Sequence, residues 1–250
     1  MASTDDSSLI WTRREPGTRR PKFTRDQIAS TALAIADTEG FAAVSMRRIA
    51  GELGAGTMTL YYYVRTKDEL VALMDDAIMG QALIPADEFP THWYDALVAV
   101  AERSWDVLMR HPWALQSLQN AQPGPNAHRH FEQSLAALAG AGLNATDTFA
   151  LLAIVDDYVQ GNVLRTAEFR AVATSPAPED ETTEAAFRFA EAQYATGEFP
   201  HTQVLLGGKD HREAFSRLIA GTSERERFRR GLSMLLQGAA HEMNLDVREG

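Results

Sequence analysis

Hydrophobic residues along this chain recur at helical spacing almost from end to end, and no stretch alternates in the way a half-buried strand would. Thr24 is placed as an N-cap, with Gln27 completing a capping box, and Ile28, Ala32, Ile35 and Ala36 follow on one face until Gly40 ends a first helix. Ser45 caps a short second helix in which Met46, Ile49, Ala50 and Leu53 face inward while Arg47 and Arg48 face out. Gly54-Ala55-Gly56 makes a tight turn, and Thr57 to Val64 reads as a third helix of barely two turns. From Lys67 a longer amphipathic helix carries Leu70, Val71, Leu73, Met74, Ala77 and Ile78 inward until Pro85 and Pro90 close it. Further helical patterns occupy about 91–110, 112–120, 126–141, 146–173, 180–196 and 223–244. The expected class is all-α. The stretches Ala173 to Glu181 and Gly197 to Asp210, rich in Pro, Gly and polar residues, read as loops.

The pattern changes character at Pro85 to Pro90, which is the expected domain boundary. It leaves a flexible basic arm over 1–23, a helix-turn-helix module over 24–80 and a larger helical body over 81–250. Charge sharpens the division. The whole chain carries a formal −10, yet Trp11 to Lys67 holds ten Lys/Arg against five Asp/Glu, or +5, so the remainder carries −15. A polyanion is therefore expected at the basic end only. Arg13, Arg14, Arg19, Arg20, Lys22 and Arg25 crowd around helix-breaking Pro16, Gly17 and Pro21, as in an arm that touches phosphates or a minor groove. The N-terminus lacks the basic-then-apolar order of a secretory signal and the chain has no cysteine, so a cytoplasmic protein without disulfides or thiolate zinc sites is expected.

A helix-turn-helix needs a short supporting helix, a tight turn and a recognition helix that enters the major groove, and Ser45 to Leu70 meets each requirement. Arg47 carries a planar guanidinium suited to guanine edges or phosphate, beside Arg48. Thr57, Met58, Thr59 and Tyr61 lie at the groove-facing start of the third helix as base-reading candidates. Tyr62, Tyr63 and Lys67 suit phosphate, Lys67 at the start of its helix where backbone N–H groups add to its charge. Of three consecutive tyrosines at least one is expected in the core, because adjacent helical residues diverge around the axis; Leu60 and Val64 are better core candidates still.

The block from Thr24 to about Gly80, with its Leu60-Tyr61-Tyr62-Tyr63 helix followed by Lys67, resembles the DNA-binding domain of the tetracycline-repressor family. That resemblance implies DNA contact by Ser45, Thr59, Tyr61, Tyr63 and Lys67. Arg110-His111-Pro112-Trp113-Ala114, the Gly124-Pro125-Asn126 turn, Leu135 to Leu138 with Gly142, and Tyr158-Val159-Gln160-Gly161 are similar to the helical C-terminal domain of the family's tetracycline-responsive members. The function implied is that of a repressor that releases operator DNA on binding a small molecule, with a transcriptional activator or a regulator gated by a protein partner as the alternative.

For the effector, Trp105, Met109 and Trp113 recur at helical spacing, and Phe131, Leu152 and Asp156 sit on helices expected around the same cavity. Asp156 and Asp157 are pointed, since carboxylates in an apolar helix cost free energy unless solvated or paired. A mostly apolar or aromatic ligand is expected. A magnesium–tetracycline chelate is not, because Leu118 falls where the resemblance would place a metal-binding histidine. His111, His128, His130 and His201 show no metal spacing, and neither a metal nor a cofactor is called for. Phe149, Val155, Val159 and Val163 on one helix, with Phe228, Leu232, Leu235, Leu236 and Ala239 on the last, form stripes that could pair across a homodimer. No nucleophile elbow, phosphate-cradling glycine loop or His-Glu-x-x-His occurs, and adjacent acids such as Asp75-Asp76 point to different sides of a helix, so an enzyme is the remote alternative.

Overall fold

The computed structural model describes residues 9–13, 23–117, 121–174, 181–207, 213–214, 217 and 221–247. These residues contain helices and turns and no strand, and no helix among them is long and apolar enough to cross a membrane. The chain divides into two compact units, one of Met1–Leu164 with Leu236–Gly250 and one of Arg165–Leu235.

The first unit begins with three helices whose limits follow from local chemistry. In α1 (Arg25–Glu39) the Thr24 hydroxyl accepts from Gln27 N at 3.1 Å and the Gln27 side chain accepts from Thr24 N at 3.0 Å, which satisfies two otherwise orphaned donors. Ile28, Ala32, Ile35 and Ala36 are buried, and Gly40 at φ +85° stops the helix. Ser45 caps α2 (Met46–Glu52) by accepting from Arg48 N at 3.2 Å. The end of α2 is a Schellman motif: Ala55 N donates to Ala50 O at 2.8 Å and Gly54 N to Gly51 O at 3.3 Å, with Gly54 at φ +60°. The recognition-helix segment α3 (Thr57–Tyr61) is shorter than the expected Thr57 to Val64. Its end tightens, with Tyr62 N donating to Thr59 O and Tyr63 N to Leu60 O, and Leu60, Tyr63 and Val64 all turn into the core.

Next, α4 (Lys67–Ala82) is capped by Thr66 and buries Leu70, Leu73, Met74 and Ile78. It packs on α1 and also on α5 (Trp93–Arg110) and α7 (Pro125–Leu138). The junction with α7 is polar and specific. The buried Asp76 carboxylate accepts from Asn126 N at 2.7 Å and Ala127 N at 3.1 Å, so a residue of α4 caps the start of α7. Gly124 is required there by close approach: a Cβ would lie 2.4 Å from Asp76 Oδ1 and 2.5 Å from the Trp11 ring. A short α6 (Ala114–Ser117) and the long α8 (Ala145–Thr174) follow, α8 leaving this unit after Leu164.

The second unit holds α9 (Glu181–Ala195) and α10 (Pro200–Leu206), and shares α11 (Glu224–Met243), which crosses into the first unit at Leu236. The structure corrects the expected loop over Gly197 to Asp210 at Pro200–Leu206, while residues 208–210, and 175–180 of the expected loop over Ala173 to Glu181, lie outside the described residues. Pro200 occupies the first turn of α10, where its missing N–H costs nothing, and Gly207 at φ +65° ends it. Within this unit Arg170 forms an ion pair with Glu224.

Candidate nucleic-acid interface and ligand cavity

The α2–α3 face gathers most of the expected DNA-contacting residues. Ser45, Arg47, Tyr61, Tyr62 and Lys67 are exposed, Thr57 and Thr59 half-exposed, and Met58 presents 73% of its surface to solvent. Met58, Tyr61 and Tyr62 are exposed together on this short helix and its end, and their neighbours Arg47, Arg65 and Lys67 form no ion pair with any described residue. Two of the expected contacts are placed differently. Tyr63 is buried, because it follows the tightened end of α3 into the core. Arg48 is engaged in ion pairs with Glu39 at 2.6 Å and Glu52 at 2.7 Å, which raise its pKa further and lower that of Glu39.

Several residues that sequence reasoning missed hold this face in place. Arg25 is buried in α1, its guanidinium donating to Ile10 O at 2.7 Å and Arg13 O at 2.9 Å. Arg13 in turn grips Glu69 of α4 through two 2.7 Å bonds, and the Glu69 carboxyl, whose burial opposes the shift, is still held below its usual pKa by Arg13 and the Arg65 N–H. Thus Leu9 to Arg13, including the 3-10 turn Ile10–Thr12, is tied to the module, whereas residues 14–22 of the expected arm lie outside the described residues.

A second anchoring cluster joins the end of α5 to α1. Asp37 accepts from His111 Nδ1 at 2.7 Å and from Trp113 Nε1 at 2.8 Å. The Trp113 ring stacks on Phe41 at 5.5 Å, and Lys67 Nζ lies 5.6 Å from the other aromatic centre, that of Phe41. Trp113, expected at the ligand, instead touches the helix-turn-helix module.

A cavity of about 600 Å³ lies among α4, α5, α7 and α8. Of the expected ligand residues, Phe131, Leu152 and Asp156 line it; Trp105 and Met109 do not, and Leu118 lies outside the described residues. The reason is helical phase. Val100, Ala101, Ser104, Val107 and Leu108 share the face of α5 that meets the cavity, and Trp105 is turned one residue away, donating instead to Asn162 at 2.8 Å. Asp75 of α4 lines the wall as well, where burial and then the charge of Asp76 push its carboxyl up to about 6. Burial also raises Asp156, opposed by a 2.6 Å hydrogen bond from Gln160 and reinforced by Asp157.

The dimer stripes fall out differently from their expected pattern. Val155, Val159, Val163, Phe228, Leu232 and Leu236 are buried within one chain, Leu235 and Ala239 are half-buried, and Phe149 is exposed but lines the cavity. Further exposed apolar side chains are Ile154 and Phe169 on α8, at 47% and 50%, and Met234 on α11, at 65%.

Residues 28–74 match the model for bacterial regulatory proteins of the tetR family, and residues 85–243 the model for the tetracyclin repressor-like C-terminal domain. The chain belongs to the TetR family. Among its relatives, an HTH-type transcriptional regulator of Saccharopolyspora erythraea is 38% identical over 157 residues, covering 62% of this chain and 66% of that one. The HTH-type transcriptional repressor DrrR1 of Streptomyces coeruleorubidus is 39% identical, covering 61% and 58%. Both alignments span less than two thirds of the relative's length. Apo ActR from Streptomyces coelicolor shares the fold, with a TM-score of 0.66 at 24% identity over 91% of this chain and 99% of that one.

Proposed function

We propose that this TetR-family chain is a DNA-binding repressor that works as a homodimer and releases its operator when a small, mostly apolar or aromatic molecule fills the α4–α5–α7–α8 cavity. One observation carries the reading: a single rigid helix, α4, begins at Lys67 on the exposed α3 face and presents Asp75, Ile78, Met79 and Ala82 to the cavity. Lys67 and Asp75 are eight positions apart, or about 12 Å along the axis. A ligand that shifts α4 by its bulk would therefore tilt the module relative to the groove, which is the differential interaction with two states that release requires. The His111–Asp37 and Trp113–Phe41–Lys67 contacts offer a second connection, since Ala114 and Leu115 beside them line the same cavity.

The cavity favours a small ligand over a protein partner as the gate, because a partner-gated regulator would be expected to have a filled interior. The name of DrrR1, a repressor, favours repression over activation. Two half-sites roughly 34 to 36 Å apart, or a multiple, require two modules, and the outward Ile154 of α8 is the residue we assign to the seam.

The test is a gel shift on DNA flanking the protein's own gene, repeated with a panel of apolar and aromatic compounds. A sequence-specific shift relieved by at least one compound is expected. Indifference to every duplex at low salt, or a strictly monomeric protein by sedimentation, would overturn the reading.

A further inference from the structure

The cavity is electrostatically one-sided. Among the described residues its titratable lining groups are Asp75 on α4, His130 on α7 and Asp156 on α8, and no described lysine or arginine lines it. His130 faces Ser104 at 3.0 Å, and burial lowers its pKa, so at neutral pH it brings no positive charge. Asp156 receives one hydrogen bond, from Gln160. Asp75 has no hydrogen bond or ion pair with any described residue. Apart from Ser104, Ser134 and Gln160, the remaining wall is apolar, with Val100, Leu108, Phe131 and Leu152 among its residues.

Each class of ligand changes this arrangement differently. An apolar neutral molecule would displace the water that still solvates the two carboxylates and raise the cost of keeping them charged. An anion would add like-charge repulsion to that cost. A cation would supply the missing partner, and since Asp75 is already partly stripped of water, pairing it removes little further hydration. The −15 carried by the sequence outside Trp11 to Lys67 acts in the same direction at longer range, drawing cations toward this part of the molecule.

We infer that the effector is an amphipathic cation: a hydrophobic or aromatic body carrying a basic nitrogen, whose ammonium is received by Asp75 and Asp156 while the body lies against Val100, Leu108, Phe131 and Leu152. This rests on the cavity being the effector site and adds the charge of what enters it. It also gives Asp75 a specific place in signalling, because the group that senses the cation stands on the helix that begins at Lys67.

Three dyes that share one fluorophore test the charge directly: dansylcadaverine, cationic; N-butyl dansylamide, neutral; and dansylglycine, anionic. Each is titrated into the full-length wild-type protein, and the rise in emission on entering an apolar site is recorded. The cation is expected to bind roughly tenfold or more tighter than the neutral dye, as a partly desolvated charge pair allows, with the anion weakest. In the Asp75→Asn/Asp156→Asn protein, which keeps side-chain shape, cation and neutral dye should converge. Equal affinity of cation and neutral dye for wild type would overturn the charge assignment while leaving the cavity as a ligand site. Persistence of the preference in the double variant would place its origin on the acidic surface and also overturn it. Binding of none of the dyes would remove the cavity reading and this inference together. Should the double variant fail to fold, Asp75→Asn alone makes the same comparison: a reduced preference for the cation is expected, and an undiminished one would overturn the inference.

Discussion

Replacing Asp75 by Asn exposes what its carboxylate costs the ligand-free protein. The carboxyl has a pKa of about 6 in the fold, against an ordinary value of 3.8. At 1.36 kcal/mol for each tenfold change in proton affinity, that rise sets a ceiling of about 3 kcal/mol, and because the group is half-buried at a water-accessible wall we discount this to about 1–2 kcal/mol. The sign follows from proton linkage. Between pH 3.8 and about 6 the folded protein holds this proton more tightly than the unfolded chain, so the group's contribution to stability is full below 3.8 and falls as pH rises to about 6. Asn cannot ionise and escapes that loss. Calorimetric melting at pH 7.5 should therefore show Asp75→Asn about 3–6 °C more stable than wild type, and the gap should close toward pH 4. A variant less stable than wild type at pH 7.5, or a gap of equal size at both pH values, would refute the picture of a buried carboxylate without a partner.

Four further outcomes are expected. Lys67→Ala should weaken all operators alike and reduce the slope of log affinity against log salt by about 1; an unchanged slope in fluorescence anisotropy would remove Lys67 from the phosphate contacts. Arg47→Ala and Tyr61→Phe should weaken operator binding with Tm unchanged, whereas Tyr63→Ala should lower stability by about 3 kcal/mol because its ring is in the core; denaturant melts compared with binding would show the reverse if the two tyrosines were assigned wrongly. Gly54→Ala should cost about 1 kcal/mol by forcing an alanine to φ +60° in the Schellman turn, and a neutral thermal melt would contradict that backbone requirement. Ile154→Glu should give monomers in sedimentation at unchanged helicity, while an intact dimer would move the seam elsewhere.

Much of the helix-turn-helix was legible in the linear pattern because its determinants are local. The Thr24/Gln27 box, the Ser45 cap and the Gly40 and Gly54 stops act over three to five residues, so they can be read without knowing what packs nearby. The tyrosine run shows where such reading stops. That one of the three would be buried follows from helical geometry, but that it is Tyr63 depends on α3 tightening after Tyr61 to carry Leu60 and Val64 inward. Arg48 and Arg47 look alike as neighbours on one short helix, and only the approach of Glu39 and Glu52 separates a tethered guanidinium from an open one.

By itself the sequence determined the all-α class, the ends of α1 and α2, the basic character of one end and the acidic character of the rest, since each depends on residues close together in the chain or on a simple count. Tertiary structure decided which side of α5 meets the cavity, that Trp113 serves Asp37 and Phe41, that Asp76 caps α7 and that Asp75 stands in a cavity wall. The physical reason is that desolvation and pairing depend on what other elements bring within a few ångströms. Two adjacent aspartates on α4 have the same local sequence, yet one accepts two backbone N–H groups and the other faces an apolar cavity.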